Sequence, residues 1–439
     1  MTVRRIGSSI AAVLLVFAAV GAGPASPSGA APPPQYFVDE SKLPFDALPG
    51  LPTERHWGVH GGAGFRIEVP PDWNGSLVMW AHGFRGEALE LTVDNHPLRG
   101  FLVANGYAWA ASSFARNEYD VAQGVKDTHA LTKRFNGIVA RPDRVYLTGA
   151  SMGGHITAVA IEHFPQTYAG AMPICGVLGD LELFDFFLDY NLVAAALAGV
   201  DTTFPPDPDQ WLGQSVPQIT GALAAAWPAG LTTEGEQLRA MTVLRSGGPR
   251  PLSEVAFLSW ASFLLQFGAL DGTVPRSPGV VVDNTGTVYQ FDTDPQLSPA
   301  EQALNDSVLR VARDPAGRPH PGLANVPVVA GTPPVPVLTL HNLGDLFVPF
   351  SMEQVYASRV AANGDPDRLV QRAIRGVGHC DFTATELVTG FVDLVTWVEQ
   401  GIRPAGDEVL APEVVADPHY GCAFTTETRN LGPFTAACP

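Results

Sequence analysis

Residues Arg144 to His155 read Arg-Val-Tyr-Leu-Thr-Gly-Ala-Ser-Met-Gly-Gly-His. An apolar, β-branched run enters Gly-Ala-Ser-Met-Gly, and Ile156 to His163 leaves it with the period of a helix. A strand that turns at once into a helix strains its turning residue, and only small residues two positions to either side leave it room. That residue is Ser151, between Gly149 and Gly153. Its hydroxyl would stand at the tip of the turn. The next amide, Met152 N–H, would open the helix N-terminus, where unpaired donors and the helix dipole can hold an oxyanion. The same pattern also suits a serine that merely caps a helix, so the rest of the chain has to decide.

At 439 residues the chain can bury a large core, and 46% hydrophobic with 16% charged residues is a globular balance. A net charge of −18 argues against nucleic acid and anionic membrane surfaces as partners. The N-terminus has the form of a signal peptide, residues 1–30: Arg4 and Arg5 precede the apolar run Ile10 to Val20, and small residues follow. That run is shorter than the roughly 20 residues a membrane-spanning helix needs. The expected location is therefore secreted, with no membrane association after processing. Four cysteines in an exported chain favour two disulfides. Cys422 and Cys438 are a natural local pair in a turn-rich tail, which leaves Cys175 with Cys380.

In chain order, residues 31–60 read as an N-terminal extension and 61–176 as the first part of a core. Gly64 to Val69 is a strand, and Ser76 to Ala81 is a buried-type strand that runs into His82-Gly83-Phe84. A helix near Pro97 to Asn105, a strand Tyr107 to Ser113, a helix Asp120 to Phe135, the Ser151 turn and a strand Tyr168 to Cys175 follow. This alternation predicts an α/β fold with a mostly parallel central sheet and helices on both faces. It breaks over residues 177–334. That span is too long for a structureless loop and is expected to be a large inserted cap domain. Helices are expected there at Leu181 to Leu197, Ser253 to Phe267 and Ser298 to Ala312, and the aromatics Phe184, Phe186, Phe187, Tyr190, Trp211, Trp227, Phe257, Trp260 and Phe263 either fill the cap or line a cleft. The core resumes over 335–405 with a strand Pro336 to His341, a helix Ser351 to Ala362, a strand Leu369 to Ile374 and a helix Ala384 to Gln400. Residues 406–439 form a tail.

Two further groups fall at strand ends: Asp345 in Gly344-Asp345-Leu346-Phe347-Val348-Pro349, and His379 in Gly378-His379-Cys380. The order Ser…Asp…His, the elbow and the His-Gly loop together resemble the α/β-hydrolase fold family of secreted serine hydrolases, over about 64–176 and 335–401. The resemblance implies a triad of Ser151, Asp345 and His379, an oxyanion hole from the amides of Met152 and Phe84 (Gly83 being the alternative donor), and no metal or cofactor. It implies carboxylic ester hydrolysis through an acyl-enzyme, on small, aromatic, plant-wall or polyester substrates. A secreted peptidase of the prolyl-oligopeptidase or tripeptidyl-aminopeptidase type is the alternative. Gly-His-Cys also resembles tannases and feruloyl esterases, in which a cysteine precedes the serine, although here that residue is Ala150. Other groups are set aside: His56 and His60 as a metal pair, Asp292 and Asp294 as cation ligands, and His155 as a helix-surface or supporting group.

Overall fold

The computed structural model describes residues 35–320, 322–324, 326–427 and 437–439. The signal segment expected over residues 1–30 lies outside the described residues.

Eight strands form the main sheet: β1 (Glu54–His60), β2 (Ala63–Val69), β3 (Ser76–Ala81), β4 (Ala108–Ser112), β5 (Arg144–Ala150), β6 (Gly170–Ile174), β7 (Val337–Asn342) and β8 (Leu369–Ile374). Their spatial order is 1-2-4-3-5-6-7-8. β2 is antiparallel to β1 and β4, and all other pairs are parallel. The α-helices of six residues or more are α1 (Arg99–Ala104), α2 (Val121–Ile138), α3 (Met152–His163), α4 (Glu182–Leu197), α5 (Val216–Leu223), α6 (Thr233–Arg245), α7 (Ser253–Leu264), α8 (Pro299–Ser307), α9 (Ser351–Ala362) and α10 (Ala384–Gln400).

The central strands are buried along nearly their whole length, as parallel strands covered on both faces must be. Leu77, Met79, Leu147 and Ala171 face a layer containing Val125, Ile156, Val159 and Tyr356 of α2, α3 and α9. Val78, Trp109, Tyr146, Leu338 and Leu340 face Leu102, Phe391 and Leu394 of α1 and α10. Fully burying each large apolar side chain contributes about 1.5–3 kcal/mol. Register brings Ala81 level with Gly149, Ala150 level with Ile174, and Asn342 level with Ile374. The loops that leave β3, β5, β6, β7 and β8 therefore open on one edge of the sheet, where sites in such sheets lie.

Several elements differ from the sequence reading. Residues 54–60, assigned to an extension, form β1 and pair with β2. As an edge strand β1 buries little, with Trp57 42% exposed, so its composition carries no core alternation. Between β6 and β7, α5 and α6 were not anticipated. The former is short and contains Pro217, and the latter buries only Gly235, Leu238, Met241 and Thr242. The helix from Ser253 ends at Leu264 and continues as a 3₁₀ turn to Ala269, and the helix at 298 stops at Ser307. By contrast α4 is buried on most sides, as a helix between two layers must be. Asp189 of α4 pairs with Arg245 of α6 at 2.6 Å, and Asp185 pairs with Arg313 at 2.8 Å. Among the described residues no helix is long and apolar enough to cross a membrane.

Residues after α10 cover the β8 edge. Asp407 N–H donates to Gln371 O, and Asp407 Oδ2 accepts from Ala373 N at 2.8 Å. Burial pushes the Asp407 carboxyl up to about 6 from 3.8, with the Ala373 bond and Arg372 opposing. Because the folded pKa lies above the unfolded one, the folded state holds this proton more tightly. The contribution is favourable below pH 4 and is lost as pH rises through 6. Asp407→Asn keeps an acceptor for Ala373 and should therefore gain stability over wild type, on the order of 1 kcal/mol, at pH 8 but not at pH 4. Thermal melts at the two pH values check this.

Candidate active site

Ser151 sits between β5 and α3 with φ 58° and ψ −122°, in a region that L-residues seldom occupy. Close packing explains the small residues around it. A Cβ at Gly153 would collide with the Ala81 and His82 carbonyl oxygens, and one at Gly149 with Gly153 O and Thr157 Oγ1. Ser151 N–H donates to Ile174 O at 3.0 Å, and Ser151 O accepts from Gly154 N at 2.9 Å. Met152 is the first residue of α3, so its amide stands where a helix has no carbonyl of its own to offer.

The loop after β3 lies against this turn. A Cβ built on Gly83 would be 3.2 Å from Ser151 Cβ and 3.7 Å from Ser151 Oγ. His82 anchors the loop from below, stacked on Phe114 at 4.1 Å with Nε2 3.1 Å from Ser113 O. Burial pushes its pKa down to about 3, so it is neutral and structural. Phe84, the residue after Gly83, is 37% exposed.

Asp345 is fully buried beyond β7. Its Oδ1 accepts from Phe347 N (2.9 Å) and Val348 N (3.0 Å), which fixes the carboxylate plane. Its Oδ2 is 2.6 Å from His379 Nδ1. The other ring nitrogen, His379 Nε2, lies 3.5 Å from Cys380 Sγ, and an imidazole held at Nδ1 by a carboxylate is the arrangement a general base needs. Asn342, at the end of β7, ties down Asp381, two residues after His379, from both sides: its Nδ2 donates to Asp381 O and its Oδ1 accepts from Asp381 N.

Cys175 and Cys380 are disulfide-bonded with their Cα atoms 5.4 Å apart. Cys175 directly follows β6 beside the serine turn, and Cys380 follows His379. Both hold positive φ, at 44° and 55°. One His379 ring nitrogen lies within 4.8 Å of both sulfurs, and because the sulfurs are bonded to each other the group is a clamp, not a ligand set. Cys422 and Cys438 form the second disulfide. The tail that carries Cys422 lies near these groups. Gly421 abuts Leu343, two residues before Asp345, and Arg375 donates to Pro418 O and Tyr420 O.

No family model matches the chain. An o-phthalyl amidase from Xanthobacter agilis is 23% identical over 408 residues, covering 80% of this chain and 89% of that protein. Feruloyl esterase B from Aspergillus oryzae aligns at 15% identity and a TM-score of 0.45, over 81% of this chain and 82% of that one. Tannin acyl hydrolase from Aspergillus niger aligns at 15% and 0.44, over 80% and 79%. The strands run in the order 1-2-4-3-5-6-7-8, antiparallel only at β2, and the loops after β5, β7 and β8 carry Ser151, Asp345 and His379. The chain has the α/β-hydrolase fold.

On this hydrolase fold the insert reaches the histidine loop directly. Trp260 Nε1–H donates to Val377 O at 2.8 Å. Phe347, in the acid loop, meets His379 edge-on at 5.0 Å and packs against Phe187, Trp260, Phe263 and Phe267. Phe187 and Phe267 stack at 4.0 Å. Tyr190, Trp211 and Phe257 are buried in the same core cluster as Leu77, Leu147 and Ile156, and Phe184 packs on Tyr119. Sequence reading passed over Asn342, Phe347, Phe267 and Arg250. Arg250 is buried and donates to Leu343 O at 2.8 Å, close enough to Asp345 for the two charges to interact. None of the four carries a local signal, because each acts through a contact distant in sequence.

The groups set aside lie elsewhere. His155 is fully buried and not on a helix surface: Nδ1 accepts from Tyr119 OH at 3.0 Å and Nε2 donates to Pro327 O at 2.7 Å. His56 and His60 are in β1, with His56 beside Glu54. Asp292 and Asp294 accept backbone amides in exposed turns.

The clamp has a measurable consequence. Cys380→Ser, or reduction of the wild type, should lower kcat at temperatures where far-UV circular dichroism is still native, because His379 loses its tether before the core opens. Loss of activity only in step with unfolding would show the bond to be structural alone.

Proposed function

We propose that the protein is a secreted serine hydrolase that cleaves carboxylic esters through a Ser151–His379–Asp345 triad. One observation carries the reading: a serine held at positive φ between β5 and α3, on the sheet edge where His379 accepts orientation from buried Asp345 at 2.6 Å. Serine is a weak nucleophile until its proton has somewhere to go. His379 Nε2 takes it as Oγ attacks the ester carbon, while Asp345 stabilises the imidazolium. The tetrahedral oxyanion is held by the amides of Met152 and Phe84, each contributing about 3 kcal/mol. Collapse returns the proton from His379 to the departing alkoxide. Water then repeats the steps on the acyl-enzyme and releases the acid. Two disulfides support export.

Residues 177–334 act as a cap in this reading. The half-buried cluster of Trp260, Phe263, Phe267 and Phe347 beside His379 favours an aromatic acyl or alcohol group. A second reading, amide cleavage, is favoured by the relative named as an amidase. A panel of p-nitrophenyl esters, aryl amides and aminoacyl-anilides separates the two. Faster turnover of esters supports the proposal, and activity on amides alone would replace it.

Ser151→Ala and His379→Ala should each lower kcat by about a millionfold, and Asp345→Asn by about ten-thousandfold, with melting little changed. Near-wild-type activity in Asp345→Asn would place the acid elsewhere. Trp260→Ala and Phe267→Ala should change kcat/KM unevenly, with losses of about 10- to 100-fold for aryl esters and less for acetyl esters. Equal losses on every substrate would make the cluster structural.

A further inference from the structure

Behind Asp345 lies a second histidine that the triad does not use. His341, on β7, is fully buried. Its Nε2 is 2.8 Å from Val348 O, and its Nδ1 is 3.3 Å from Glu353 Oε1 on α9. Both partners are acceptors. The other Glu353 oxygen already accepts from Thr339 Oγ1 at 2.6 Å and Gln371 Nε2 at 2.5 Å, so its lone pairs are taken by donors. A neutral imidazole carries one N–H and would turn a lone pair toward one of its two acceptors. Only the imidazolium satisfies both.

Val348 connects this pair to the candidate triad. Its carbonyl accepts from His341, and its amide donates to Asp345 Oδ1 at 3.0 Å. A line of contacts thus runs from Glu353 through His341 and Val348 to Asp345 and His379. We propose that His341, held as an imidazolium by Glu353, is a positioning residue. It fixes Val348, and so the orientation of Asp345, and sets a positive charge near that buried carboxylate. The proposal rests on the triad reading above. Burial alone would lower the His341 pKa, but Glu353, then Asp345 and the Val348 carbonyl, outweigh it and the pKa is raised. Those two carboxylates are the charged groups that act on the ring.

Two measurements test this. Protein labelled with ¹⁵N-histidine, with the resonances of residue 341 identified by their loss in His341→Gln, reports the charge in the intact wild type. Both ring nitrogens should show protonated-type shifts at pH 8, where exposed histidines are neutral. A neutral-tautomer pair of shifts would overturn the proposal. The second measurement is the rate at which a fluorophosphonate labels Ser151. His341→Gln and Glu353→Gln, each confirmed as folded by circular dichroism, should label at least about tenfold more slowly than wild type. Rates within about twofold of wild type in either folded variant would refute the positioning role. Labelling of Ser151→Ala at the wild-type rate is a separate outcome: it would overturn the triad reading, and the positioning role with it, without involving His341.

Discussion

The left-handed turn at Ser151 is the constraint on which the rest of the site depends. A non-glycine residue held there costs on the order of 1–3 kcal/mol and persists only where its surroundings leave no alternative. Here they leave none. Gly149 and Gly153 let α3 press onto the ends of β3 and β5 with no space for a Cβ, and Ile174 and Gly154 hold the serine's backbone groups. Cys175 and Cys380, also at positive φ, meet in a covalent bond across the same edge. These three, out of eight positive-φ non-glycine residues among the described residues, are neighbours, and the close-packed layers beneath them offset their strain.

Electrostatics extends that constraint into the insert. Asp345 is wholly buried, and an unpaired carboxylate there would be costly. It is met by two amides and by the ring of His379, and Arg250 adds a cation from beyond α6. Burial pushes the Arg250 pKa down to about 10, and the guanidinium remains charged at neutral pH. The same residue bonds Leu343 O, Gly248 O and Ser246 Oγ, tying the insert to the acid loop. A segment that interrupts the sheet in sequence therefore braces the site in space, and Trp260 does the same for the histidine loop.

The parts legible in the sequence were those with a local code. The strand–Gly-Ala-Ser-Met-Gly–helix pattern located the turn, because sterics at that turn restrict residue types over five positions. The buried parallel strands were readable because they are continuous apolar runs, and α10 because its apolar residues recur with a helical period. β1 was missed because an edge strand buries too little to impose alternation. Arg250, His341 and Glu353 were passed over for a different reason: the Arg250–Leu343 bond spans 93 residues and the His341–Glu353 pair 12, and nothing in the flanking residues shows that a buried charge will find such a partner.

The most direct test of the site is a crystal structure of the protein after reaction with an aryl fluorophosphonate. The adduct should be a single bond from Ser151 Oγ to phosphorus. The phosphoryl oxygen should lie about 2.7–3.1 Å from the amides of Met152 and Phe84, with the aryl group against Trp260 and Phe347. An adduct on another residue, or one on Ser151 whose phosphoryl oxygen faces away from both amides, would contradict the account.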